Sequence, residues 1–355
     1  MNTSLIRRGS FVAAAAALAL VLSACSGGGN PTDGGTDEGA AAGDLSGVQV
    51  ALIPGGSHPY FQPWKTAGPA AATEFKLGGV EYNETSEWDQ TKQNEVVNSL
   101  AAQGTNAFGI FSVSPTDINT TFTKLKDQGF AVASLGNCPA GDTNAADFCL
   151  STDTEVAAYK AAQAAIEAMG GKGTLVHGTG NNVDTNTQRR IAGVEKAVAE
   201  TNGAVTLLPH LTDIDKDLST AQKAVADLLA AKGDEIQGFV STAYNPAVAS
   251  AAAVKNAGLP IKVVAIDDDE TILAGIKDGS VSATVVQNPV GQARIGSWAL
   301  AQLQTGTCTM KEPGVIVDSG SFIVNKDNVD SYGDEQDAES EKLMDQFAND
   351  LLSCK

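Results

Sequence analysis

Short, nearly continuous apolar runs recur along this chain, and between them lie longer stretches of helical character, many closed by glycine. The first run, residues 48–53, stops at Pro54-Gly55-Gly56, and the helical stretch 62–77 after it stops at Gly78-Gly79. Strands are expected next at 80–82, 107–113 and 130–135, with a helix from Asp89 to about 102 and another over 116–128. The beat then repeats. A helix capped by Asp153 or Thr154 runs to Met169. Strands follow at 173–177, 205–208, 236–241, 262–266 and 282–286, alternating with helices at 187–200, 218–231, 246–257, 270–277 and 290–304. Strands that lack polar alternation are buried on both faces, which calls for a parallel sheet covered by helices on each side. Two successive sets of βαβαβ type predict an α/β protein with two doubly wound parallel-sheet lobes. Ligands in such sheets bind beyond the carboxyl ends of the strands. Two lobes can set those loops face to face across a cleft.

The leading segment is an address. Arg7 and Arg8 precede an apolar stretch, residues 11–22, that is too short to span a bilayer comfortably. Leu22-Ser23-Ala24-Cys25 resembles the lipobox of bacterial lipoproteins, which implies cleavage before Cys25 and acylation of its thiol. Residues 1–24 are therefore expected to be a lipoprotein signal peptide, and 25–45 a lipidated cysteine with a flexible Gly/Ala/Thr/Asp-rich tether. This predicts an exported protein, lipid-anchored on the cell surface or the periplasmic side of the membrane. The net charge of −19, without a basic tract, argues against nucleic acid as a partner.

Beyond Cys25 there are Cys138, Cys149, Cys308 and Cys354, an even number that suggests disulfides in an exported chain, with free buried thiols as the alternative. Of the three pairings, the short Gly/Asp/Asn loop between them favours Cys138–Cys149. Cys308–Cys354 then follows and would pin the C-terminal segment to the body. No CxxC pair exists and the three histidines are scattered, so no metal is expected. The acidic segment 334–355 reads as an amphipathic helix ending at Cys354. Residues 213–217 suggest a calcium loop, but Leu218 and Ala224 stand where such a loop needs Gly and Glu; a polar loop capping the next helix is expected instead. There is no phosphate-binding loop and no nucleophile elbow, so neither cofactor nor catalysis is expected.

Seven segments, in order, resemble periplasmic binding proteins of the ribose-binding type. They are Ser57-His58-Pro59-Tyr60-Phe61, Ser86-Glu87-Trp88-Asp89, Ser114-Pro115-Thr116-Asp117, Ser151-Thr152-Asp153, Arg190-Ile191-Ala192-Gly193, Val264-Ala265-Ile266-Asp267, and Ala283 through Pro289. The resemblance implies a periplasmic binding protein type I fold with three crossovers, near Ser151, Gln287 and Asp318. The N-terminal lobe would hold 46–151 and 288–318, and the C-terminal lobe 152–287 and 319–355. It also implies a monomer that closes on its ligand by hinge bending and delivers it to an ABC permease and its ATPase. The implied ligand is a monosaccharide or sugar-like polyol. The alternative is a ligand-sensing receptor for a signal molecule or a non-sugar solute.

A sugar needs fixed hydrogen-bond partners, because each hydroxyl buried unpaired costs about 1–3 kcal/mol. Its C–H faces suit aromatic surfaces. On the resemblance, Tyr60 and Phe61 stack on the ring. Asp267 accepts from sugar hydroxyls, or else caps a helix, for which Asp268 and Asp269 are alternatives. Gln287 matches a family glutamine. Gln188 lies two residues before Arg190, where the pattern has a sugar-touching arginine. Arg189 and Arg190 are adjacent alternatives, and Arg190 reads as a structural ion pair. Tyr244 and Asn245 lie in another cleft loop, and Trp64 and Trp88 either line the entrance or pack in the core. His58 and Ser114 stand where the family usually has Asn. Gly136-Asn137 replaces the Asp-Arg or Asp-Ser pair, which argues against ribose itself, and a Cys138 disulfide would turn Asn137 toward the cleft.

Overall fold

The computed structural model describes residues 43–141 and 143–355. The expected signal peptide, Cys25 and nearly all of the tether lie outside the described residues. Leu45, expected at the end of the tether, is buried in a hydrophobic core, so the packed part starts before residue 46.

The chain enters through β1 (Gln49–Ile53), whose last four residues are all buried, then α1 (Gln62–Glu74), β2 (Gly79–Tyr82), α2 (Gln90–Ala102), β3 (Ala107–Ile110), α3 (Ile118–Asp127), β4 (Ala131–Leu135) and β5 (Phe148–Ser151). The second series is α4 (Thr154–Ala168), β6 (Gly173–Gly178), α5 (Thr185–Ala199), β7 (Val205–Leu207), α6 (Leu218–Lys232), β8 (Gly238–Ser241), α7 (Tyr244–Ala257), β9 (Lys262–Ile266), α8 (Glu270–Asp278) and β10 (Ala283–Gln287). Then come α9 (Pro289–Gln304), β11 (Cys308–Met310), β12 (Val315–Asp318), β13 (Ser321–Val324), α10 (Tyr332–Gln346) and β14 (Leu352–Cys354). Carboxylates of Asp89, Asp153, Asp184, Asp217 and Asp269 accept from first-turn N–H groups of α2, α4, α5, α6 and α8. Such a cap satisfies an orphan donor and places negative charge at the positive end of the helix dipole.

Two six-stranded sheets result, in the orders β12-β5-β4-β3-β1-β2 and β13-β10-β9-β8-β6-β7. The first is wholly parallel. In the second only β13 runs antiparallel. Each sheet is buried on both faces, as the apolar runs require. In the N-terminal lobe one core holds Leu52, Trp64 and Leu300, and the other holds Val97, Phe108 and Phe122. In the C-terminal lobe α6, α7 and α8 cover one face and the alanine-rich α4 with α5 the other. Gly193 permits the close α4–α5 approach: a Cβ there would lie 2.2 Å from the Glu155 carbonyl oxygen.

The chain passes between lobes at 152–153, at Asn288 and at 319–320, and buried hydrogen bonds tie these three passages together. Ser319 Oγ accepts from Gln292 Nε2 (3.0 Å) and pairs with Thr152 Oγ1 (3.2 Å), while Asn288 Nδ2 donates to the Ser319 carbonyl (3.0 Å). The chain then crosses a fourth time. Val329 still packs in the C-terminal lobe, but Leu343, Phe347 and Leu352 sit in the core of the N-terminal lobe beside Cys308. The assignment of all of 319–355 to the C-terminal lobe is corrected accordingly: three large apolar groups find their partners across the hinge. The helix expected to reach Cys354 stops at Gln346, a π-helical turn follows over Phe347–Leu351, and β14 pairs antiparallel with β11, setting Cys354 opposite Cys308. Both expected disulfides, Cys138–Cys149 and Cys308–Cys354, are formed. Among the described residues no helix is long and apolar enough to cross a membrane.

The Cys308–Cys354 bond closes a loop with a sequence separation of 46. Replacing both cysteines by serine is expected to lower stability by about 4 kcal/mol on chain-entropy grounds, read as a shifted urea midpoint. An unchanged midpoint would mean that β14 and the Phe347 contacts hold the segment without the bond.

Candidate functional site

The loops that leave the carboxyl ends of both sheets enclose one cleft with a volume of about 460 Å³. The N-terminal lobe lines it from the loops after β1 (His58, Tyr60, Phe61), β2 (Glu87, Trp88), β3 (Phe111, Val113, Pro115) and β4 (Gly136). The C-terminal lobe lines it from residues 180–190, from Asp213, Asp215 and Lys216, and from Tyr244, Asp267 and Gln287. This is the edge where a doubly wound sheet exposes its crevice.

His58 precedes a 3-10 turn, Pro59–Phe61, and the Tyr60 N–H donates to its Nδ1 (3.2 Å). Nε2 points across the cleft, 3.3 Å from Asn245 Nδ2 and 3.5 Å from Asp215 Oδ1. The Tyr60 hydroxyl donates to Gln292 Oε1 (3.1 Å); burial and the charge of Asp267 raise its pKa, keeping it protonated. Phe61 packs edge-on against Tyr60, Trp64 and Phe111. Trp64 is fully buried core, whereas Trp88 stands at the cleft mouth.

On the opposite wall, Asp267 follows β9 with a left-handed backbone (φ 63°) that aims its carboxylate into the cleft. Gln287 Nε2, at the end of β10, donates to Asp267 Oδ1 (2.9 Å). Asp269 takes the α8 cap, so Asp267 is released from that duty. Burial pushes the Asp267 carboxyl up to about 7, against the downward pull of the Gln287 bond, Arg190 and His58. The Tyr244 hydroxyl donates to Asp269 Oδ2 (2.8 Å), and its ring meets His58 edge-on at 5.8 Å.

Three expected ligand residues do not line the cavity. Ser114 closes the turn before α3, where its Oγ accepts from Asp117 N (3.2 Å). Asn137 is buried behind Gly136; its Nδ2 donates to the Ser112 carbonyl (3.0 Å) and to Asp184 Oδ2 (3.4 Å). Gln188 lies on the outer face of α5 and bonds to Asn182. Thr187 and Arg190, three apart on one helix face, point to the cleft instead. Arg190 is not a structural ion pair: it has no carboxylate partner within 4.0 Å among the described residues, and its Nε is buried without a hydrogen-bond partner. Arg189 makes the local ion pair, with Asp153 at 2.8 Å.

Sequence reasoning missed Asp184, Asn186 and Asp215. Asp184 both caps α5 and lines the cleft, and burial raises its pKa. Asn186 Nδ2 reaches across to the Gly136 carbonyl (3.0 Å). The 213–217 segment does cap α6, through Asp217, yet its Asp213, Asp215 and Lys216 face the cavity. The rule that ligands gather at strand carboxyl ends could have retrieved all three.

A model of the periplasmic binding protein domain matches residues 50–308. Several solved structures share the architecture. An ABC transporter solute binding protein from Burkholderia graminis C4D1M, in complex with D-arabinose, is 21% identical with a TM-score of 0.72, covering 81% of this chain and 99% of its own. A sugar ABC transporter (sugar-binding protein) from Bacillus halodurans is 23% identical with a TM-score of 0.70, covering 80% and 99%. An ABC transporter periplasmic solute binding protein from Actinobacillus succinogenes 130z, with bound D-allose, is 20% identical with a TM-score of 0.72, covering 80% and 100%. At these identities the likeness establishes the fold.

The raised Asp267 pKa has a consequence for the ligand-free protein. A carboxyl whose folded pKa lies above its unfolded value contributes stability that is intact below about pH 4 and is lost as pH rises to about 7. Asp267→Asn removes the titration. Its melting temperature, compared with wild type, is expected to gain between pH 4 and pH 8; a difference that stays constant over that range would refute the burial argument.

Proposed function

The chain belongs to the periplasmic binding protein domain family, and from that premise we propose that it captures a neutral sugar, as a monosaccharide ring or sugar-like polyol, between its two lobes. It is a binding protein and not an enzyme. The observation that carries the sugar reading is the set of buried polar groups with unmet capacity facing the cleft. Arg190 has a buried nitrogen without a partner, and Asp267 and Gln287, 6% and 3% exposed, bond to each other and leave further acceptors and donors toward the cavity. Left dry, such groups are costly; a ring of hydroxyls supplies the matching donors and acceptors. Tyr60, Phe61 and Tyr244 offer ring faces and edges for the C–H surfaces.

The charge lining the cleft narrows the ligand. Glu87, Asp184, Asp213, Asp215 and Asp267 outnumber the basic residues there, Arg190, Lys216 and His58. Carboxylates accept from hydroxyls and repel anions, so acidic sugars are disfavoured. Structures of similar fold hold D-arabinose and D-allose, both neutral, which supports this reading. The rest of the assembly follows from the family and from Leu22-Ser23-Ala24-Cys25. In this reading a monomer held at the outer membrane face by a lipid on Cys25 passes its closed, loaded form to an ABC permease and ATPase.

Isothermal titration with neutral pentoses and hexoses, with a uronate as the anionic control, tests the reading. A neutral sugar should bind and the uronate should not. Asp267→Asn should weaken that sugar about 100-fold, since it removes charge from two hydrogen bonds worth about 1.5–3 kcal/mol each. Binding of amino acids with no sugar binding would retire the proposal.

A further inference from the structure

The two ends of the cleft differ in kind. At the inner end Phe61, Asp267 and Gln287 are nearly inaccessible. At the mouth stand Trp88, 44% exposed on the N-terminal lobe, and Val183, 74% exposed on the C-terminal lobe. Both are among the few large apolar side chains exposed among the described residues, and both line the same cavity from opposite lobes.

Trp88 is held there at a cost. Glu87 and Trp88 adopt consecutive left-handed conformations, φ 53° and 58°, a region that residues with a Cβ rarely enter. The Trp88 N–H donates to the Gly55 carbonyl (2.6 Å), and Gly55 and Gly56 clear the space for the indole: a Cβ on either would lie 2.5 or 2.7 Å from it. His58 and Phe111 stand edge-on to the ring, at 6.1 and 5.8 Å. Backbone strain retained at a cleft, with an indole that packs on Gly55, Gly56, His58, Phe61 and Phe111 and is still 44% exposed, leaves part of the ring open at the mouth.

We propose that the mouth of the cleft is a second sugar subsite, with Trp88 as its stacking platform and Val183 as the facing lip, so that the protein takes a neutral disaccharide with one ring at the inner site. Space supports this. The cavity of about 460 Å³ lies within the roughly 300–1,000 Å³ range of small-molecule sites and reaches from the buried Phe61, Asp267 and Gln287 to the exposed Trp88 and Val183. Chemistry supports it as well, because the outer ring meets Glu87, Asn181 and Lys216, which offer acceptors and donors around an aromatic face. The inference rests on the sugar reading of the inner site, and it lengthens the ligand without changing its class.

The test is titration calorimetry of the protein with lactose, melibiose and cellobiose against galactose and glucose. At least one disaccharide is expected to bind tenfold or more tightly than either of its component rings. Trp88→Ala is expected to weaken that disaccharide at least tenfold more than the monosaccharide. Val183→Ser, which removes an exposed group with little packing, should weaken the disaccharide in the same selective sense and guards against a misfolded Trp88 variant. Monosaccharides that bind as tightly as every disaccharide, or variants that weaken both classes alike, would overturn the second subsite and leave the sugar reading standing. Failure of every disaccharide while a neutral pentose or hexose binds would overturn the second subsite alone; failure of all of these sugars, pentoses included, would overturn both.

Discussion

Ser319 joins segments that are far apart in sequence. Its hydroxyl accepts from Gln292 and pairs with Thr152, and its carbonyl accepts from Asn288, so one short passage between lobes is bonded to the other two. Gln292 also accepts from Tyr60, which lines the cleft. All of these hinge groups are buried, where an unmade hydrogen bond is expensive. Any movement of one lobe against the other would pivot on this knot, and the orientation of Tyr60 is set by the same amide that bonds to it. A ligand that engages the Tyr60 hydroxyl competes for Gln292 and is felt at the hinge directly.

Contacts that span the cleft are few and individually weak. His58 faces Asp215, Asn186 bonds to Gly136, and Asn137 bonds to Asp184. Net contributions of about 0.5–1.5 kcal/mol for each such bond bring the lobes together without locking them. What shifts the balance is a solute that touches both walls in the closed form and one wall in the open form, since only differential affinity moves such an equilibrium.

The alternation of apolar runs and glycine-closed helices made the two parallel-sheet lobes legible, because burial on both faces leaves little choice of sheet type. It missed β5, β11, β12, β13 and β14, three or four residues each, which lie outside the regular strand–helix beat and, β5 apart, pair with strands far away in sequence or only with each other. At the cleft, the residues beside strand ends that the family resemblance singled out, His58, Tyr60, Asp267 and Gln287, do line the cavity, since a strand end fixes position. Helix faces were not. Gln188 and Arg190 differ by two residues, hence by more than half a turn, and only the packing of α5 on α4 decides which one turns inward. Aspartates were ambiguous for a chemical reason: the same carboxylate geometry caps a helix and binds a hydroxyl, and Asp184 does the first while facing the cavity.

Gly43 packs on Thr307, whose carbonyl accepts from the Lys355 N–H, while Cys354 is bonded to Cys308 one residue away. Positions 43 and 355 are thus neighbours on the N-terminal lobe, at the side where β1 begins and opposite the loops that hold the cleft. Both positions therefore belong to one lobe, and anything joined at either leaves the C-terminal lobe untouched. A short peptide from 355 to 43 would close the described part of the chain into a ring, and new ends cut in a loop of the C-terminal lobe would carry two reporters of the distance between the lobes.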